Sequence, residues 1–333
     1  MTEYKGIKGF KVQSLSSDPS EASDNSGQIW YNTTSNALKY TGGIGAWSSG
    51  GALNTARYGV VGTGTQTAGI AFGGYSAPPS TYYNKAETYN GSSWTEVTGM
   101  GTTAWLRGRA GTQTAALATG GTSPPDNRTA NSETWNGSAW SEGNNLNTAR
   151  NVGSGGGTST AALVIGGYTA DPGAARVAIV EKWNGTSWTE VGNINTVRDQ
   201  MAQAGTATAS LTIGGDFGPP GKADVVESFD GTSWTEINDI NTARSGLGGG
   251  PASSTFALAF GGELPPGSST GITEQYDGTS WTEAADLATA RRLMASAGTA
   301  SLGLCIGGYA PPTQTTATEE WNLVDTTRTV TVS

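Results

Sequence analysis

The sequence predicts an all-β chain built from six copies of one four-stranded unit, and three observations predict it. Glycine supplies 51 of 333 residues while charged residues make up only 14%, far from the balance of an ordinary domain. Gly-Gly pairs recur at Gly73–Gly74, Gly120–Gly121, Gly166–Gly167, Gly214–Gly215, Gly261–Gly262 and Gly307–Gly308, spaced 47, 46, 48, 47 and 46 residues apart. No stretch carries a helical period, and a regular repeat of this length is the mark of an array or a closed ring of small sheets.

The elements of one unit follow in order. A first strand of small residues, such as GSGGGTST or AGTATAS, suits a crowded centre where only small side chains fit. The second strand ends at the Gly-Gly pair, as in TQTAGIAFGG, TSTAALVIGG and ASLGLCIGG. The third carries an acid and, two residues on, an aromatic: Glu87 and Tyr89, Glu133 and Trp135, Glu181 and Trp183, Glu227 and Phe229, Glu274 and Tyr276. Asn-Gly or Asp-Gly comes next, the residue pair that a tight hairpin turn demands. The fourth strand opens on a Trp: Trp94, Trp140, Trp188, Trp234 and Trp281. NTAR or a relative closes the unit at Arg150, Arg198, Arg244 and Arg291. Four antiparallel strands in such a period are the signature of a β-propeller blade, and six Gly-Gly pairs imply six blades. A buried Trp removes roughly 150–250 Å² from water, so one at each interface between blades is expected to be a main staple.

The last unit tests closure. Its acid and aromatic are Glu319 and Trp321, but no Trp follows. Ala46–Trp47, followed by Asn54-Thr-Ala-Arg57, supplies the missing piece from the other end of the chain. Trp47 stands 26 residues before Gly73, the interval that separates Trp94 from Gly120 and Trp140 from Gly166. The N-terminal strand is therefore expected to be the outer strand of the sixth blade, closing the ring and removing an exposed edge.

The Gly-Gly and acid–aromatic–Trp pattern resembles the kelch repeat, over roughly residues 40–322. The resemblance implies a six-bladed kelch-like β-propeller with four antiparallel strands per blade. The second unit departs from it: GTTAWLRGRA has Ala104 where the closing Arg belongs, with Arg107 and Arg109 nearby.

Outside the repeat, residues 1–27 read as a docking arm and polar linker, 28–322 as the propeller, with 28–49 its hairpin and closing strand, and 323–333 as a C-terminal edge strand. The arm holds Lys5, Lys8 and Lys11, three of the seven lysines in a chain of net charge −9. In GQIWYNTTSNALKYTGG, Ile29–Tyr31 is expected to pair with Leu38–Tyr40. SSDPS, this hairpin and Ala46–Trp47 together resemble the opening of structural proteins of tailed phages, especially marine ones. That resemblance implies an N-terminal segment that joins a particle and a variable domain that follows it. Lys5, Lys8, Phe10 and Lys11 are then the candidate docking contacts, other virion proteins the partners, and multiple copies on a symmetric particle the expected arrangement. The opening residues lack an apolar h-region, so an outward-facing role is expected to be reached without export, inside a particle released by lysis. The expected location is the virion.

Composition excludes several chemistries. With no histidine there is no His-based triad and no ordinary His-ligated metal site. One cysteine, Cys305, allows no intrachain disulfide or Cys-cluster zinc site. The acidic balance argues against nucleic acid as a partner, and no apolar run reaches the roughly 18 residues of a membrane span. Asp126, Asp171, Asp216 and Glu263 fall in loops after the second strands, but nothing selects a pair for glycoside hydrolysis. No enzymatic activity and no cofactor are expected. The recurring arginines and glutamates, present at every unit, are read as structural pairs between blades, because a site breaks symmetry. The loops after the second strands are Pro-rich, five with Pro-Pro, and proline lowers the entropy of ordering them. They carry Tyr75, Tyr82, Tyr83, Tyr168, Phe217 and Tyr309, the candidate ligand-binding rim for a host-surface glycan or protein. The expected function is a non-enzymatic structural component of a tailed-phage virion, in host contact or particle decoration. A soluble bacterial lectin-like or protein-binding propeller is the alternative.

Overall fold

The computed structural model describes residues 12–19, 29–151, 154–169, 175–218, 221–250 and 253–329. All regular structure among them is β-strand. The chain divides into two compact units, Met1–Gly45 with Leu323–Ser333, and Ala46–Asn322.

The larger unit is a series of antiparallel sheets. The first joins Val61–Gly64, Gly69–Phe72, Ala86–Tyr89 and Trp94–Val97 in that order, and the second Gly108–Thr112, Ala115–Thr119, Ser132–Trp135 and Trp140–Gly143. The third joins Ser154–Thr158, Ala161–Ile165, Val180–Trp183 and Trp188–Val191. The fourth runs Ala202–Gly205, Ser210–Gly218, Gly221–Phe229 and Trp234–Glu236, and the fifth Gly248–Gly249, Ala257–Phe260, Thr273–Tyr276 and Trp281–Ala284. In the sixth, Ala295–Gly298 and Leu302–Ile306 are followed by Thr318–Thr329 and then by Ala37–Gly50, the strand that carries Trp47. Five of these sheets are four-stranded and antiparallel, and the sixth is part of a six-stranded sheet; such a succession is consistent with a propeller-like fold.

Burial explains the residue gradient along each sheet. Gly69–Phe72 is buried throughout, whereas Trp94–Val97 buries its Trp and turns Thr95 and Glu96 outward. First strands lie against first strands: Val61–Gly64 beside Gly108–Thr112, then Ser154–Thr158, Ala202–Gly205, Gly248–Gly249 and Ala295–Gly298, which again lies beside Val61–Gly64. The approach is close enough to require glycine. A Cβ on Gly155 would stand 3.0 Å from the Arg109 backbone nitrogen. Apolar clusters fill the spaces further out, as where Tyr89 and Trp94 of the first sheet meet Ala295, Leu304 and Ile306 of the sixth.

The Gly-Gly pairs fasten successive sheets. Gly73 and Gly74 have φ of +66° and +110°, values at which a Cβ is strained. The second glycine of each pair then donates its N–H to the carbonyl that precedes the next sheet. Gly74 bonds Ala104 O (3.0 Å), Gly121 Arg150 O (2.9 Å), Gly167 Arg198 O (3.3 Å), Gly215 Arg244 O (3.0 Å), Gly262 Arg291 O (2.9 Å) and Gly308 Arg57 O (3.0 Å).

The closing arginines serve twice. While each carbonyl takes the bond from the preceding sheet, each guanidinium reaches the glutamate of the sheet it introduces. Arg57 Nη1 is 2.5 Å from Glu87, Arg150 Nη1 2.5 Å from Glu181, Arg198 Nη2 3.2 Å from Glu227 and Arg291 Nη2 3.0 Å from Glu319, and Arg244 bonds Glu274 likewise. The carboxylates also accept backbone N–H groups, as Glu181 does from Asn147 (2.8 Å). In the second unit Ala104 still supplies the carbonyl, and the guanidinium comes from Arg107, 3.5 Å from Glu133.

In the smaller unit Gln13–Leu15 runs parallel to Ile29–Asn32, which pairs antiparallel with the start of Ala37–Gly50, Ile29 opposite Tyr40 and Tyr31 opposite Leu38. Asp18 locks this hairpin. Its carboxylate accepts Trp30 Nε1 (3.1 Å), Asn32 Nδ2 (2.5 Å) and Lys39 Nζ (2.7 Å), and the bond from Lys39, with that from Asn32, holds it below the usual carboxylate range. Asn32 Oδ1 in turn caps the turn through Thr34 N (3.0 Å) and Ser35 N (2.9 Å). The candidate docking residues Lys5, Lys8, Phe10 and Lys11 lie outside the described residues.

Candidate functional site

The chain continues past each closing segment to one residue that pairs with the residue after a Gly-Gly. The six pairs are Tyr58 with Tyr75, Trp105 with Thr122, Asn151 with Tyr168, Asp199 with Asp216, Ser245 with Glu263, and Arg292 with Tyr309. The backbone arrangement repeats from sheet to sheet, while the side chains on it do not. A repeated scaffold has no structural need for such variety, and these positions are the candidate site.

One part is aromatic. The Tyr58 ring lies edge-on to Tyr75 (5.4 Å between centroids), Trp105 (5.5 Å) and Tyr309 (5.5 Å), and Tyr75 stacks on Trp105 at 5.2 Å. Tyr82, on the short strand Thr81–Tyr82 that pairs with Tyr75–Ser76, extends the patch at 5.0 Å from Tyr75. Its hydroxyl donates to Asp126. Burial and that carboxylate push the Tyr82 phenol up to about 12.

The other part is a chain of ion pairs. Arg176 bridges Asp199 (2.8 Å) and Asp216 (3.0 Å), Lys222 bridges Asp216 (2.7 Å) and Glu263 (3.0 Å), and Arg292 pairs with Glu263. Burial pushes Asp199 up against the pull of Arg176. Burial works the same way on Asp216, but the bond from Lys222 outweighs it and leaves that carboxyl below its ordinary range. The two parts meet where the Arg292 guanidinium lies over the Tyr309 ring, 5.1 Å from its centroid.

Of the six aromatics expected on the rim, Tyr75, Tyr82 and Tyr309 are brought together. Tyr168 makes no ring contact with that patch among the described residues; the guanidinium groups of Arg128 (5.2 Å) and Arg176 (5.7 Å) lie over its ring. Phe217 is 42% exposed on Ser210–Gly218, and the Tyr83 hydroxyl bonds Ser76 Oγ at 3.0 Å. Tyr58, Trp105 and Arg292 were missed by the sequence reading. Their signal is positional, one residue past the closing Arg or its Ala104 replacement.

Aromatic faces beside a guanidinium suit stacking on a sugar ring or a flat side chain. Asp216 and Glu263 are engaged by cations, and Asp126 by Tyr82, while Asp171 lies outside the described residues. Among the described residues no group of three or more His, Cys, Asp or Glu could hold a metal ion. No protein-family model matches the chain, and no curated protein matches it.

Proposed function

We propose that the chain is a six-bladed kelch-like β-propeller, closed by the strand that carries Trp47, and a non-enzymatic structural component of a tailed-phage particle. It attaches through its N-terminal segment and turns the paired rim toward a glycan of the host surface. The observation that carries the binding role is the loss of repeat symmetry at the six paired positions, where Tyr58, Tyr75, Trp105 and Tyr309 gather into one aromatic patch. Closure is supported by the order of first strands, which returns from Ala295–Gly298 to Val61–Gly64, and by the Gly308 N–H bond to Arg57 O. Attachment is supported by the resemblance of residues around Asp18 and Trp30 to phage structural proteins. The Asp18 lock gives that segment an internal order of its own.

Immunogold labelling of purified particles with antibody to residues 46–322 tests the reading. Label on the tail or fibres supports host contact, and label over the head supports decoration in its place. Unlabelled intact particles, with antibody-accessible protein free in the lysate, reject the particle role. Glycan binding by that free protein would then favour the soluble lectin-like alternative.

A further inference from the structure

The first strands of the sheets line a cavity of about 80 Å³. At one boundary four backbone amides are consumed in a belt of bonds: Leu106 N to Gly59 O (2.9 Å), Gly59 N to Leu293 O (2.8 Å), Leu293 N to Gly246 O (2.8 Å) and Gly246 N to Gln200 O (2.8 Å). Side chains must therefore supply much of the polarity that a ligand would meet. The residues in register just inside are Gly62, Arg109, Gly155, Gln203, Gly249 and Ser296. Three glycines leave room for the longer side chains between them.

Arg109 is the anomaly. The five repeated arginines and Arg107 each meet a glutamate, and Arg109 meets only neutral acceptors. Its Nη1 donates to Gly62 O and Ser296 O, and its Nη2 to Ser296 Oγ at 2.9 Å. Among the described residues no carboxylate pairs with it. Arg109 is itself only half-buried, and desolvation with no counter-charge beside it lowers its pKa to about 10. Two hydroxyls add to the surplus of donors. Ser154 Oγ lines the same cavity, buried and without a hydrogen-bond partner among the described residues. Ser296 Oγ accepts from Arg109 and from Gly249 N (3.3 Å) and donates to nothing among the described residues. Gln203 turns its amide nitrogen to Gly205 O (3.2 Å) and Ser210 Oγ (2.7 Å), while its Oε1 packs against Gly156 without a donor.

We propose that this cavity holds one small monovalent anion of the chloride class, bound by the Arg109 guanidinium and the hydroxyl protons of Ser154 and Ser296. The anion supplies the counter-charge that this half-buried guanidinium finds in no carboxylate among the described residues. The site is independent of the rim and of any glycan it binds. With a net charge of −9 the protein disfavours diffuse anion binding, so a saturable anion effect reports a built site.

The test is thermal unfolding of the full chain at constant ionic strength, with sodium chloride replacing sodium gluconate, a large and weakly coordinating anion. A saturable rise of Tm with chloride is expected, and Arg109→Gln abolishes the dependence. A Tm indifferent to the exchange overturns the proposal and leaves the cavity to water, as does a chloride effect that R109Q keeps in full. Should R109Q fail to fold, anomalous diffraction from wild-type crystals grown in sodium bromide decides. A bromide peak beside Arg109 supports the site, and an empty cavity overturns it.

Discussion

The Trp47 indole lies with its ring centroid 5.4 Å from that of Trp321 and donates its N–H to Thr273 Oγ1 at 3.0 Å. The pair reproduces, between residues near the two ends of the chain, what single hairpins make elsewhere: Tyr89 with Trp94 at 4.8 Å and Phe229 with Trp234 at 4.9 Å. Trp94 likewise donates to Thr318 Oγ1 in the sixth sheet, at 3.0 Å. Trp47 also meets Phe260 edge-on at 4.8 Å, so it covers the fifth sheet as well as its own.

Trp47→Ala is therefore expected to destabilise the larger unit by about 2–4 kcal/mol, since it removes a large, partly buried aromatic and its bond to the Thr273 hydroxyl, which keeps only its 3.4 Å bond to Gly271 O. Urea unfolding followed by fluorescence checks this. A midpoint within error of the wild type would mean that the N-terminal strand is a dispensable decoration of the sheet.

The glutamates are expected to matter more than the arginines they pair with. Glu181 accepts Arg150 Nη1, Asn147 N (2.8 Å), Asn147 Nδ2 (2.8 Å) and Thr148 N (3.4 Å). Glu181→Ala leaves Asn147 N and Thr148 N without their acceptor, leaves Asn147 Nδ2 and Arg150 Nη1 only the carbonyls of Trp188 and Thr148, and leaves a buried cation without its partner, a loss of about 3–5 kcal/mol. Arg150→Met leaves a carboxylate still held by three N–H groups, and the loss is expected to be smaller. Chemical denaturation of the two variants gives the order directly, and the reverse order would refute the argument.

The scaffold was legible in the sequence because each of its marks answers a backbone requirement. Gly-Gly is needed where two successive residues have positive φ and the second amide must reach the neighbouring sheet. Asn90 is needed where a side-chain oxygen caps Ser92 N (3.0 Å) and Ser93 N (2.9 Å). The Gly-Gly pair recurs in all six units and the turn cap in five, at Asn90, Asn136, Asn184, Asp230 and Asp277, and so they leave a countable period. The rim was only half legible. Tyr75 and Tyr309 follow a Gly-Gly and were found, but Tyr58, Trp105 and Arg292 share a position and no residue type. Arg107 was visible as a neighbour of the odd Ala104. That it reaches Glu133 depends on Gly101 N and Thr102 N holding the carboxylate at 2.6 and 3.1 Å, which no residue pattern encodes.

On the proposed glycan-binding role of the rim, Tyr75 and Trp105 are the residues whose loss is expected to weaken binding most. They stack on each other beside Tyr58, and aromatic anchors dominate binding energy where they cluster. Tyr75→Ala and Trp105→Ala should each reduce affinity for host cells or their isolated glycan by about tenfold or more. Tyr83→Phe removes only a hydroxyl that faces Ser76 and should leave affinity unchanged. Equal affinities for all three variants and the wild type would remove the aromatic patch from the binding surface.

Tyr89, like Tyr82, is a phenol whose raised pKa ties stability to alkaline pH, and a Tyr89 variant separates its share. Its hydroxyl donates to Glu320 Oε1 at 2.6 Å and accepts Gly51 N at 3.1 Å. Burial first, and then the bond to Glu320, push its phenol up to about 12, against about 10 for a free tyrosine. Between those values the folded chain keeps a proton that the unfolded chain has released. The unfolded state binds fewer protons, so stability falls as pH rises through that window. Tyr89→Phe removes the titrating group together with its hydrogen bonds. The variant is expected to be less stable by about 1 kcal/mol at pH 8 and to lose less stability on going from there to pH 11. The two proteins should therefore converge in urea midpoint at high pH. Parallel losses in wild type and Y89F would show that the alkaline sensitivity comes from other groups.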